Sequence, residues 1–111
     1  MAQAEFVQEG ASIDYTPSQA VSAGDVIVQG DLVGVAKLDI AANKLGALAV
    51  TGVFDFAKTT GNGTAIAFGT TLYWDDTNNV VTTTASGNKL LGKCVKAAVD
   101  ADAVCRVRLF Q

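Results

Sequence analysis

The sequence predicts an all-β protein, a small antiparallel sandwich or barrel of about eight or nine short strands with at most one short helical turn. Apolar residues come in short runs that alternate with a period of two, and helical periodicity is nearly absent. Glycine, asparagine and aspartate cluster between those runs, where turns need them. The composition points the same way: 18 alanines, 14 valines, 11 glycines and 11 threonines against five phenylalanines, two tyrosines and one tryptophan. Small and β-branched side chains suit thin sheets whose backbones approach closely.

Residues 6–9, then Gly10-Ala11, then residues 12–16 read as a strand, a tight turn and a strand. Pro17 ends that unit, because it has no N–H to give to a ladder. This sets off residues 1–17 as an N-terminal arm or hairpin and residues 18–111 as a single β domain. Residues 26–29 form a short apolar strand opened by the turn Ala23-Gly24-Asp25. Gly30-Asp31 is a hairpin turn and residues 32–38 are the returning strand. Residues 47–56 read as one longer strand with Gly52 inside it. There Val53 and Asp55 alternate with Phe54 and Phe56, so one face carries both aromatics.

Residues 59–64 are polar and glycine-rich, hence a loop, and residues 65–68 are the single helical turn, ended by Gly69. Residues 71–74 run as a strand into the turn Asp75-Asp76-Thr77-Asn78-Asn79, and residues 80–84 complete that hairpin. Residues 90–98 and 104–110 are the last two strands, joined by the acidic turn Asp100-Ala101-Asp102. In the last one Val104, Arg106 and Arg108 alternate with Cys105, Val107 and Leu109. Gly24-Asp25-Val26-Ile27-Val28 echoes Gly69-Thr70-Thr71-Leu72-Tyr73, and Leu32-Val33-Gly34 echoes Leu90-Leu91-Gly92. The two offsets differ, so these are two related β-units and not a strict repeat; shared turn chemistry suffices to produce them.

Bulk properties exclude several classes. At 111 residues and 11.4 kDa the chain makes one domain. With 50% apolar and 17% charged residues and a mean hydropathy of +0.31 it is no disordered tail. No apolar run approaches the roughly 20 residues that span a bilayer. Residues 1–10 lack a basic n-region and an apolar h-region, so the expectation is a soluble protein made and used in a cytoplasm. A core of alanine and valine buries little area per residue, and at about 25 cal/mol per Å² the stability margin is modest. Partner subunits are therefore expected to supply part of it. Lys plus Arg is 8 and Asp plus Glu is 11, giving a net charge of −3 and a pI near 4.6, without the basic footprint of a nucleic-acid binder. Arg106 and Arg108 share one strand face, with Lys93 and Lys96 nearby in sequence. That is a local basic strip or an ordinary solvated strand face, and the second reading is preferred.

The residues that carry chemistry are scarce. There is no histidine, which removes the commonest general base and zinc ligand. Cys94 and Cys105 form no CxxC; they could bridge neighbouring strands, but two small apolar strand residues are the preferred reading. Gly87-Asn88-Lys89-Leu90-Leu91-Gly92-Lys93-Cys94 fits a P-loop spacing with cysteine in place of the Mg²⁺-binding hydroxyl. The segment after Lys93 is strand-like, not helical, and no βαβ pattern surrounds it, so nucleotide binding is set aside. Asp75, Asp76, Asn78 and Asn79 lack the order of a calcium loop and are read as turn residues, with Tyr73-Trp74 anchoring the hairpin. The other carboxylates are Glu5, Glu9 and aspartates that nearly all sit at turns, and no nucleophile elbow is present. No catalytic residue, cofactor or metal is expected, and the chain reads as a non-enzyme.

Phe6-Val7-Gln8-Glu9-Gly10, Ile13-Asp14-Tyr15-Thr16, Val21-Ser22-Ala23-Gly24-Asp25-Val26-Ile27 and Leu32-Val33-Gly34-Val35-Ala36 resemble segments of the DUF2190 family. So do Gly46-Ala47-Leu48-Ala49-Val50-Thr51-Gly52-Val53-Phe54, Leu72-Tyr73-Trp74-Asp75 and Val104-Cys105-Arg106-Val107-Arg108-Leu109. Members are small proteins of tailed-phage and prophage structural clusters, taken to be the capsid decoration or cement protein. Some carry a RecA/RadA-type recombinase label, which the residues here do not support. The resemblance implies a protein that clamps neighbouring major capsid subunits from outside, with no nucleic acid or membrane partner. Its expected place is the exterior of the virion capsid, reached through the host cytoplasm during assembly. The expected contacts are backbone pairing of residues 2–9 onto a sheet edge, with Ala4, Glu5, Phe6, Val7 and Gln8 at its centre, and Arg106 and Arg108 on the last strand. A homotrimer about a capsid symmetry axis is expected, with a dimer open. A tail or baseplate adaptor and a recombination-associated protein are the alternatives.

Overall fold

Nine strands form two antiparallel sheets in the computed structural model, which describes residues 3–111 and contains no helix among them. The first sheet holds β1 (Ser12–Tyr15), β2 (Val26–Gln29), β3 (Leu32–Val35) and β4 (Gly46–Ala49), in the order β1-β4-β3-β2. The second holds β5 (Gly52–Ala57), β6 (Thr71–Asp75), β7 (Val80–Thr82), β8 (Lys89–Lys96) and β9 (Val104–Leu109), in the order β5-β9-β8-β6-β7. This is the all-β, small-sandwich class that the alternation predicts.

The main core lies between the sheets. In β9 the alternation is strict: Cys105, Val107 and Leu109 are buried and Val104, Arg106 and Arg108 exposed. These three meet Leu72 and Trp74 of β6, Leu91 and Cys94 of β8, and Val33 and Val35 of β3. Phe56 joins them, its ring 5.8 Å from Trp74 and 6.1 Å from Phe54. A smaller cluster of Val21, Ala36, Ile40 and Leu48 gathers separately, with Ile13, Tyr15 and Ile27 against it. Strand β3 is therefore buried on both faces, which explains its continuous apolar run. Gly34 permits this, because a Cβ there would lie 2.8 Å from the Leu48 Cβ.

The β2–β3 hairpin turns on Gly30 and Asp31, with Gly30 at φ 62° in the first loop position, where a type II′ turn takes glycine. The pair that closes such a loop, Gln29 and Leu32, is hydrogen-bonded, so the next pair is not. Val33 therefore aims its N–H and C=O away from β2. Strand β4 meets β3 only at Val35 opposite Ala49. The Gln111 side chain fills the gap: its Oε1 accepts from the Val33 N–H at 2.7 Å and its Nε2 donates to the Val33 carbonyl. The last residue of the chain thus links one sheet to the other.

Four elements differ from the sequence reading. The strand at residues 6–9 does not form; described residues 3–9 carry no strand, and β1 pairs instead with β4, Ser12 opposite Ala49. A hairpin alone buries little, whereas pairing with β4 brings Ile13 and Tyr15 against the smaller core. Met1 and Ala2, part of the expected arm, lie outside the described residues. Residues 47–56 are two strands in different sheets, broken where Gly52 takes φ 119°. The strand expected at 32–38 ends at Val35, because Ala36 turns to hydrogen-bond the Gly24-Asp25 turn. The helical turn at 65–68 is absent: Ile66 exchanges two 2.9 Å backbone hydrogen bonds with Ala98 and is buried. Tertiary pairing satisfies the backbone there without a helix.

Candidate interaction surfaces

Register gathers the basic residues that the sequence scatters. Arg106 stands opposite Asp55 of β5 on one side and Lys96 of β8 on the other. Arg108 stands between Val53 and Lys93 in the same way. Period-two counting from Lys93 puts Val95 outward and Lys96 inward. A bulge between Cys94 and Lys96 resets the register and brings Lys96 opposite Arg106. Four of the eight cations of an acidic chain thus share the outer face of the five-stranded sheet. The four are side by side and all exposed, so the strip lies on a solvated strand face.

Three of these cations have partners. Arg106 donates from Nε to Asp55 Oδ1 at 2.9 Å and from its terminal nitrogen to Oδ2 at 3.2 Å. These bonds hold the Asp55 carboxyl below the usual aspartate range. The Arg108 guanidinium lies 5.4 Å from the centre of the exposed Phe110 ring. Lys93 donates from Nζ to Thr71 Oγ1 on β6.

The second surface is the arm. Ala4, Glu5, Phe6, Val7 and Gln8 are all exposed, Phe6 at 77% and Val7 at 85%. Among the described residues the arm's one hydrogen bond to the body runs from Gln8 Nε2 to the Ser12 carbonyl at 3.1 Å. The arm and the basic face are two separate features. A groove of about 370 Å³ opens beside β4, lined by Leu38, Leu45 and Ala47 together with Lys37 and Lys44. Sequence reading missed it, since Leu38 counted as a strand residue.

The motifs with chemical overtones are structural. Residues 87–94 run from a turn into β8 with no helix to present backbone N–H groups to a phosphate. Gly92 serves close packing, for a Cβ there would lie 1.9 Å from the Arg108 carbonyl oxygen. Asp75 caps its own turn, accepting from the Thr77 and Asn78 N–H groups at 3.0 and 3.1 Å and from Asn78 Nδ2 at 2.8 Å. The Asn78 amide, first, and these N–H groups lower its pKa. Trp74 Nε1 donates to Asp76 at 3.1 Å, so the indole does anchor the hairpin. No group of three or more His, Cys, Asp or Glu side chains stands close enough to hold a metal among the described residues.

Cys94 and Cys105 are free thiols, buried, with sulfurs 3.6 Å apart. Burial, then the bond to Cys94, pushes the Cys105 thiol up to about 12, so it stays protonated. Lys58 is the buried cation that the sequence did not reveal. Its Nζ donates to the Thr59 carbonyl at 2.9 Å, Thr64 Oγ1 at 3.1 Å and the Asp102 carbonyl at 3.2 Å. It fastens the polar loop to the acidic turn, and no sequence pattern marks it.

No helix of the described residues is long and apolar enough to cross a membrane. No curated protein and no solved structure matches the chain. A family model described as phage cement protein matches residues 7–109. The match begins inside the arm, leaving out Ala4, Glu5 and Phe6, and runs through all nine strands to the end of β9. Its description is of a structural, capsid-associated phage protein, which points away from catalysis. Spanning the whole two-sheet frame as it does, the match places this chain in the phage cement protein family.

Proposed function

We propose that the protein cements neighbouring major capsid subunits from the outside of the shell, with the outer face of the five-stranded sheet as its capsid contact. The observation that carries this reading is the gathering of Lys93, Lys96, Arg106 and Arg108 on one rigid face of a chain whose net charge is −3. A cationic patch on an otherwise acidic protein selects an acidic protein surface and orients the encounter. Arg108 and Phe110 give the patch an aromatic and guanidinium centre of the kind that dominates interface energies. The arm, Ala4 to Gln8, adds a second contact with a neighbouring subunit. Copies then stand about a capsid symmetry axis as trimers, or as dimers at a two-fold. The site is virion exterior, reached from the host cytoplasm, and takes neither nucleic acid nor membrane.

Purified protein added to shells that lack it should bind saturably and raise their heat resistance. Lys93→Glu with Arg108→Glu should abolish binding at moderate salt while leaving the urea midpoint of the free protein near wild type. Failure to bind any capsid form, or a label that sits on the tail, overturns the reading.

A further inference from the structure

The groove beside β4 and the arm match one another in chemistry. Leu38 and Leu45, exposed at 78% and 70%, line the groove with Ala47. Lys37 and Lys44 line it too, both exposed. The one carboxylate there, Asp39, is tied down by the Ala23 N–H at 2.7 Å. The groove therefore offers apolar walls and two cations that form no ion pair among the described residues. The arm offers the converse: Phe6 and Val7 exposed, with Glu5 on one side and Glu9 on the other. An apolar pair flanked in sequence by carboxylates suits an apolar slot whose lining includes two lysines.

We propose that the groove receives residues 5–9 of a second copy of this chain. Phe6 and Val7 seat against Leu38 and Leu45, and Glu5 and Glu9 point to Lys37 and Lys44. The arm's own body does not hold it: Phe6 and Val7 lie open, and Gln8 makes the arm's one hydrogen bond to Ser12 among the described residues. Arm and groove are different surfaces, so the contact either repeats head-to-tail around a ring or is exchanged reciprocally across a two-fold axis. The inference goes beyond the cement reading: it gives the arm to a second copy of this chain and leaves the basic face as the capsid contact.

Thiol cross-linking tests it, since the native cysteines are buried, exposed at 0% and 1%. Protein carrying Val7→Cys is mixed with protein carrying Leu45→Cys and oxidised with diamide. A mixed disulfide dimer should form well above the level given by Val7→Cys with Ser86→Cys, which lies in the exposed β7–β8 turn. Lys37→Glu with Lys44→Glu in the groove partner should cut its yield roughly tenfold at low salt. Glu5→Lys with Glu9→Lys in the arm partner should restore it. Urea midpoints confirm that each variant is folded. Yield no greater than the Ser86 control, or unmoved by the charge reversals, overturns the proposal. So does an intramolecular bridge when both cysteines sit in one chain, for the arm then occupies its own groove. A protein that cross-links as expected but binds no shell refutes the cement reading alone.

Discussion

At Gly92 the backbone of β8 runs so close to β9 that an added Cβ would sit 1.9 Å from the Arg108 oxygen, against atoms that cannot swing aside. Gly92→Ala should lower the urea midpoint, with a loss of about 1–3 kcal/mol or more from forced strand separation. The acid side of the stability profile is also set by single residues. Asp55 is lowered by its bonds to Arg106, Asp31 by its hydrogen bond to Lys89, and Asp75 by the Asn78 amide. Each has a folded pKa below the unfolded value of 3.8. The unfolded chain thus takes up protons first as pH falls. Their contribution is whole above that value and lost beneath it. Stability should therefore decline below about pH 4, and Asp55→Asn should flatten part of that decline in urea titrations at successive pH values. All three are at the surface, so added salt should shrink the effect.

At the scale of elements, the arm and the strands answer to different forces. Strand β1 gains a sheet partner and the smaller core, whereas residues 3–9 make almost no contact with the body. Removing the arm through Glu9 should leave the thermal midpoint of the monomer unchanged and abolish the Val7-type cross-linking surface. A midpoint lowered at low protein concentration would show that the arm does pack on its own chain. Strand β8 carries the decisive irregularities. One register shift lies between Leu72 and Tyr73 of its partner β6, the other between its own Cys94 and Lys96. The second keeps Cys94 inward and Lys96 outward, and so creates the basic face.

At the scale of the whole molecule, the chain exposes 7010 Å², against about 5,800 Å² for a compact monomer of 11.4 kDa. Its radius of gyration, 15.2 Å, exceeds the roughly 13 Å of a compact domain of this length. The extended arm contributes to that excess, since residues 3–9 are all exposed. The sheets meet chiefly where β3 packs on β8, and Gln111 ties them again at Val33. Gln111→Ala should leave the Val33 N–H and C=O without partners at a cost of about 1–3 kcal/mol, read as a lower urea midpoint. The loss should show equally in Trp74 fluorescence and far-UV dichroism, because both sheets share one core.

The strand class, the turns at Gly30-Asp31 and 75–79, and the alternation of β9 were legible in the sequence. Each rests on local rules: a period of two, and turns that demand glycine, asparagine or aspartate. The want of histidine and of a workable P-loop was legible as well, since chemistry absent from the residues cannot be supplied by folding. Tertiary structure alone decided that residues 47–56 split between two sheets, that Gln111 completes β3, and that Lys58 is buried. It also decided the basic face and the groove. Register, bulges and sheet partners join residues far apart in the chain, and their free energies depend on surfaces that no local window contains.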